Sequence, residues 1–447
     1  MIDLAAERVA AAAGGTLLAG DPERRGPKRA VIDSRAVEPG DLFVGLPGAS
    51  ADGAEFAPAA IEAGAWGVLV ADERREPALA AAGGERNGSQ PAVIGADDTL
   101  AALQRLANAW RRELGCKVAG VTGSTGKTST KDILSALLRP RVRARSSREN
   151  FNNQIGLPLT ILETPRETEA LVLEMAMRGE GEIAELAAIA APDVGVIVNV
   201  GPVHLELLGT VERVAAAKAE LIRDLPAGAA CVVPASEPLI RAHLREDLDT
   251  WTFGPGGHVQ LLAMEGPRAE IEARGERIDL ELPYREPYNL LNTLAAVAAA
   301  RAMGFPVGGP IEVRFSSLRG EIVELPGEVV VVNDCYNANP MSMRAALDHL
   351  AETPAERRIA VLGTMAELGQ DSVRYHREIG ELAAALDIDV LVTVGDGALA
   401  YADGFDGETH AVATPEEAGA LLEEVARPGD RVLVKGSRSV GLERVLA

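Results

Sequence analysis

The chain is short of several things that would have named a function class at once. It has three cysteines, Cys116, Cys231 and Cys335, far apart and without metal-type spacing. No apolar run approaches the length of a membrane span. Residues 1–10 carry acidic side chains and no basic stretch leading into an apolar core, so no signal peptide is expected. Together these point to reduced thiols and a cytoplasmic protein. Positive charge is also in deficit, with 44 Lys and Arg against 66 Asp and Glu and a net charge of −22. That argues against a nucleic-acid surface. It also repels anionic substrates at long range, so such a substrate must be held locally by Arg, Lys, helix N-termini and Mg²⁺.

What is present suits a soluble globular protein: 47% apolar and 25% charged residues over 447 positions, a length that predicts two or three domains. The chain is organised around residues 120–129, GVTGSTGKTS. Val118 to Val121 reads as a short buried strand, and Ile133, Leu134, Leu137 and Leu138 recur behind it at helical spacing. A glycine turn between a strand and a helix start is a phosphate cradle, because the unpaired amides and the helix dipole both face the anion. Gly123 and Gly126 allow close backbone approach, Lys127 can reach a terminal phosphate and the Thr128 hydroxyl can hold Mg²⁺. Val121 stands where the first glycine of the usual G-x-x-x-x-G-K-T belongs. The plain alternative, a tight turn with a chance Gly-Lys-Thr, is disfavoured by the strand and helix on either side.

Three units follow in order: 1–96, 97–309 and 310–447. The first is a small α/β domain with predicted strands at 31–35, 41–44, 67–70 and 92–94 and a loop at 83–90. Ser34 and Arg35 stand at a strand end, where a hydroxyl and a guanidinium could hold phosphate; a solvated turn is the stronger alternative on chemistry alone. The second unit opens with an amphipathic helix over 99–114 and carries a polar loop at 150–158, whose Asn152, Asn153 and Gln154 either cap their own turns or face a ligand. Glu174 ends a predicted strand at 170–173, and His204 follows one at 194–200. Carboxyl ends of parallel strands face the ligand crevice, so this pair beside a phosphate loop is a candidate metal-ligand set. Lys218, in a helix predicted over 211–225, reads as an ordinary surface lysine. Short alternating pieces at 250–282 predict a small antiparallel addition, and 305–310 a linker. The third unit alternates strands and helices as a parallel, doubly wound sheet. Asp334, Asn337, Lys435 and Arg438 follow strand ends on its ligand edge, and no glycine fingerprint for a dinucleotide accompanies them.

Taken together, VTGSTGKTSTK (121–131), NNQIG (152–156), Glu174, His204, AKAE (217–220) and 289–292 resemble the ATP-dependent Mur ligases, which build the peptide of the bacterial cell-wall precursor. NDCYNANPMSM (333–343), LGTMAELG (362–369) with His376, and VKGSR (434–438) are similar to the member that adds D-alanyl-D-alanine to a UDP-muramoyl-tripeptide. DSR (33–35), GDLFV (40–44) and Asp52-Gly53 resemble its N-terminal domain, so all three units are covered. The chain departs from the family pattern at Ala54, Tyr288 and Thr364.

The resemblance implies a UDP-substrate domain, a central P-loop ATPase-type domain and a Rossmann-like ligase domain, acting as a monomer with ATP and two Mg²⁺ ions. It implies ATP contacts at Gly123, Ser124, Thr125, Gly126, Lys127, Thr128 and Ser129, and at Asn289, Asn292, Arg319, Asp334 and Asn337 near adenine and ribose. Metal would be served by Thr128, Glu174, His204 and Lys218, the last carbamylated by CO₂, with Asn153 near the reacting phosphate. Ser34 and Arg35 would bind the uridine diphosphate end, and Asn337, Lys435 and Arg438 the remaining substrate.

Overall fold

The computed structural model describes residues 2, 4–49, 51–84, 90–148 and 150–446. Of the loop expected at 83–90, residues 85–89 lie outside the described residues. The expected three-part α/β architecture is present, with one sheet in each part.

The first sheet holds β1 (Thr16–Ala19), β2 (Ala30–Val31), β3 (Leu42–Val44), β4 (Gly67–Ala71) and β5 (Ala92–Ala96), in the order β1-β5-β4-β3-β2. β1 is antiparallel to β5 and the other pairs are parallel. The strand expected at 31–35 stops at Val31. Asp33 accepts the Arg35 amide at 3.0 Å and turns Ser34–Ala36 into a 3-10 turn, a local bond that competes with strand pairing.

The helix Thr99–Leu114 forms where its periodicity placed it, capped by Asp98 and closed by Gly115 in the left-handed region. Its buried Leu103, Leu106 and Trp110 pack on both the helix Ala6–Ala13 and the helix Gly156–Glu163, joining the first unit to the second.

The second sheet holds β6 (Lys117–Thr122), β7 (Ala144–Ser146), β8 (Ala170–Glu174), β9 (Val194–Ile197), β10 (Ala230–Pro234), β11 (Asp249–Phe253), β12 (Val259–Glu265), β13 (Arg268–Ala273), β14 (Glu276–Glu281) and β15 (Gly309–Pro310). The order is β15-β14-β13-β12-β11-β10-β9-β6-β8-β7, so the antiparallel hairpins extend the parallel sheet itself. The expected linker contributes β15, which pairs with β14. Near the middle, β6 lies between β9 and β8. The helix Lys127–Leu138 buries Ile133, Leu134, Leu137 and Leu138 against Ala119, Val121, Val172 and Val196. Each such aliphatic side chain is worth about 1.5–3 kcal/mol on burial, which fixes the helix start over the sheet edge.

The third sheet holds β16 (Glu321–Leu325), β17 (Val329–Asn333), β18 (Arg357–Gly363), β19 (Val390–Val394), β20 (Glu408–Val412) and β21 (Asp430–Lys435), in the order β16-β17-β21-β18-β19-β20. All pairs are parallel except β16 with β17. The segment after β17 reaches the phosphate loop of the central sheet through Asn339 and Ser124, and the segments after β18 and β21 are bonded to each other and to it.

Candidate active site

The phosphate loop joins β6 to the helix Lys127–Leu138 through Gly126, whose φ of 75° is left-handed. A Cβ there would lie 2.5 Å from the Asn292 side-chain oxygen, so only glycine fits this turn as packed. The Ser124 and Thr125 amides donate to the Asn199 side-chain oxygen at 3.1 and 2.9 Å, and the Ser124 hydroxyl exchanges bonds with Gly201. Asn199 thus shapes the loop, which explains why β9 ends at Ile197 rather than running to Val200. The first amides of the helix have no intrahelical acceptor and face the cavity. The Lys127 ammonium rests on the Gly123 carbonyl at 2.9 Å. Burial lowers its pKa, with Glu174 opposing and the Arg319 cation adding to the effect.

Glu174, at the end of β8, is 1% exposed. One carboxylate oxygen accepts the Thr128 hydroxyl at 2.7 Å and the other the Asn152 amide at 2.8 Å. A hydroxyl and a carboxylate side by side are hard oxygen donors of the kind Mg²⁺ takes. Among the described residues no group of three or more His, Cys, Asp or Glu could hold a metal ion by itself. Asn153 turns its side-chain oxygen to the amides of Ile155 and Gly156 at 3.1 and 2.8 Å while lining the cavity. These bonds lead the chain into the helix Gly156–Glu163 inside the stretch expected to be loop, with Pro158 tolerated in its first turn.

Lys218 is not a surface lysine. It is 1% exposed on the inner face of the helix Val211–Asp224, between Val214 and Leu221. Among the described residues no hydrogen bond or ion pair reaches its ammonium. Burial and the nearby Lys127 cation hold its pKa well below the ordinary lysine value.

The C-terminal sheet supplies the opposite wall. Lys435, 2% exposed, is paired with the Asp334 carboxylate and donates to the Asn337 carbonyl at 3.1 Å. The Arg319 guanidinium lies 4.1 Å over the Tyr336 ring, and its Nε is buried without a partner among the described residues. The Asn289 side-chain oxygen is likewise buried and unpaired among them. Orphaned polar atoms in a cavity wall suit a ligand that brings its own donors and acceptors. Asn339 caps the helix Pro340–Glu352 and reaches the Ser124 carbonyl at 3.5 Å, linking the two walls.

One cavity of about 860 Å³ collects most of the predicted residues. Ser124 to Ser129, Asn153, Glu174, His204, Asn289, Asn292, Arg319, Asp334, Asn337 and Lys435 all line it. Gly123 sits just behind the loop against Val198, and Lys218 lies beneath the lining. Ser34, Arg35 and Arg438 are not on its wall. Arg35 is exposed and paired with Asp33, and Arg438 is paired with Glu443. Asn199 and Glu367 were not singled out by sequence. Glu367 bonds the His204 ring from the other domain.

Residues 121–300 match the Mur ligase middle domain, 318–438 the Mur ligase glutamate ligase domain, and 30–111 the Mur ligase family catalytic domain. The UDP-N-acetylmuramoyl-tripeptide–D-alanyl-D-alanine ligase of Mycobacterium leprae is 37% identical over 510 aligned positions, spanning 99% of this chain and 97% of that protein. The chain belongs to the Mur ligase family. The Bacillus subtilis Mur ligase of the same name is 34% identical, over 100% of this chain and 98% of its own. Among solved Mur ligases, MurF from Acinetobacter baumannii superposes with a TM-score of 0.85 at 27% identity, covering 99% of this chain and 98% of that one. The Thermotoga maritima MurF ligase in complex with ADP gives 0.79 at 31% identity, covering 94% and 96%.

Proposed function

We propose that this Mur ligase joins D-alanyl-D-alanine to the terminal carboxylate of UDP-N-acetylmuramoyl-tripeptide, with ATP going to ADP and phosphate, in peptidoglycan precursor synthesis. The observation that carries this is a phosphate loop and a second domain's strand edge opening on one cavity, in a chain similar end to end to ligases of that name.

A carboxylate is a poor electrophile at neutral pH. Transfer of the γ-phosphoryl group to it makes an acyl phosphate; the incoming amine adds to the carbonyl, and phosphate leaves as the amide forms. The protein's task is positioning and charge neutralisation. Lys127 exchanges the Gly123 carbonyl for the β- and γ-phosphates, joined by the amides of residues 126–129 at the helix start. Asn153 stands beside the reacting phosphate, and Asn289, Asn292, Arg319, Asp334 and Asn337 hold adenine and ribose. Thr128, Glu174 and His204 would hold two Mg²⁺ ions, which would neutralise phosphate charge. Lys218 is suited to carbamylation, since a buried amine with a depressed pKa keeps the lone pair that adds to CO₂, releasing a proton. The carbamate then adds an anionic oxygen pair beneath the phosphate site.

Ser34 and Arg35 hold the uridine diphosphate end from outside the cavity, and Asn337, Lys435 and Arg438 the peptide end. Three domains, 1–96, 97–309 and 310–447, then divide handle, nucleotide and acceptor. The chain is proposed to act as a monomer, and nucleotide-linked substrates favour the cytoplasm. No helix among the described residues is long and apolar enough to cross a membrane.

The test is phosphate release from ATP and Mg²⁺ with UDP-muramoyl-tripeptide, with and without D-alanyl-D-alanine, and the product by mass. Release requiring both, with an amide product, is expected. Release driven by diaminopimelate, lysine or glutamate instead would move the chain to a sister activity, and release indifferent to any acceptor would remove the ligase function.

A further inference from the structure

The loop after β9 and the loop after β18 meet across the seam between the central and C-terminal domains. His204 lines the cavity, and its Nδ1 is bonded to the Glu367 carboxylate. The Glu206 amide donates to the Glu367 carbonyl at 3.1 Å, and Arg178 Nε stands 3.4 Å from the other carboxylate oxygen. His204 and Glu367 have φ of 54° and 62°, left-handed values that non-glycine residues hold only where their surroundings insist on them. Glu367 is itself anchored from behind. The buried His376 donates Nδ1–H to the Ser372 carbonyl at 2.7 Å and accepts the Met365 amide on Nε2 at 2.9 Å. Ser437 accepts the Ala366 amide at 2.9 Å. A carboxylate accepts, so Nδ1 is the donor, and the tautomer that ligates a cation is the one with its lone pair on Nε2. An imidazole that ligates a cation through one nitrogen is oriented by an acceptor on the other. Here that acceptor comes from a different domain.

We propose that Glu367 is a positioning residue: from the C-terminal domain it fixes the ring of His204, so the cation site of the central domain is complete only when the two domains are docked. The inference rests on the ligase function proposed above and on the metal role given there to His204. Domain docking and cation binding then become one event.

The test is Mn²⁺ binding to the full chain saturated with ADP, read by electron paramagnetic resonance. Glu367→Ala is expected to weaken Mn²⁺ binding about 10-fold or more, as loss of an outer partner does, and His204→Ala, which removes the ligand itself, by at least as much. The double variant should bind no more weakly than His204→Ala alone. Glu367→Gln, whose amide oxygen also accepts from Nδ1, should recover most of the affinity and keeps the test open where Glu367→Ala does not fold. Arg178→Ala should bind Mn²⁺ as the native chain does. Native-like binding by both Glu367 variants, losses that add in the double variant, or a loss reproduced by Arg178→Ala would each overturn the positioning role. Native-like binding by His204→Ala would overturn it together with the metal role of His204. Amide formation from D-alanyl-D-alanine, measured separately, tells that failure from failure of the ligase function.

Discussion

Lys218 and Lys435 are both long cationic side chains with almost no exposure, one under the phosphate loop and one at the end of β21. Their surroundings differ in one respect. Lys435 meets the Asp334 carboxylate and two backbone carbonyls. Lys218 meets no acceptor among the described residues and faces a second ammonium, Lys127, so its pKa falls well below the ordinary lysine value. Burial of a cation with a counter-ion makes a fixed strut. Burial without one pushes the pKa down and so favours the uncharged amine, whose lone pair is nucleophilic.

The contrast can be broken at several points. Lys127→Ala should have the largest effect, a loss of about 10²–10³-fold in kcat for ATP-dependent phosphate release, because one preorganised cation leaves the developing charge. It should also raise the basicity of Lys218, whose like-charged neighbour it removes. Asp334→Ala leaves Lys435 buried and unpaired, and should cost about 3 kcal/mol of stability in urea unfolding. Adding Lys435→Met should restore much of that loss; no loss in the first variant would mean the carboxylate is not what permits the burial.

Lys218→Met tests the other side. A lysine whose folded pKa is depressed destabilises the fold below that value, and the penalty fades as pH rises towards the ordinary lysine value. In CO₂-free buffer near neutral pH the variant should therefore be more stable by on the order of 1 kcal/mol, with the gain shrinking as pH rises, while ligase activity is lost. Thermal melts across pH check the slope, and ¹³C-bicarbonate labelling of the native chain checks the carbamate. The smallest effect is expected for Asn339→Ala, about 1 kcal/mol for the lost helix cap, with a looser junction between the two walls.

Much of this was legible in the sequence where a signal is local. The helix Thr99–Leu114 announces itself by periodicity and caps, and the phosphate loop by glycine spacing between strand and helix. Edge strands were harder. β16 and β20 expose most of their side chains, so neither carries the apolar run that marks a strand. Lys218 could have been placed inward from its register, since Val214, Leu221 and Ile222 put position 218 on the same buried stripe. Asn199 and Glu367 had no such signal. Each acts on a residue far away in the chain, Asn199 on the phosphate loop and Glu367 on His204, and a contact made only by folding leaves no local trace.

The seam beside Glu367 has one more property. Gly369 has a φ of 58°, and a Cβ there would lie 3.1 Å from the Glu206 Cα in the other domain, close enough to press on main chain rather than on a side chain that can swing away. A relative that carries a side chain at the position of Gly369 is expected to show a compensating change in the segment matching 204–208, and the two loops should vary through evolution as a pair.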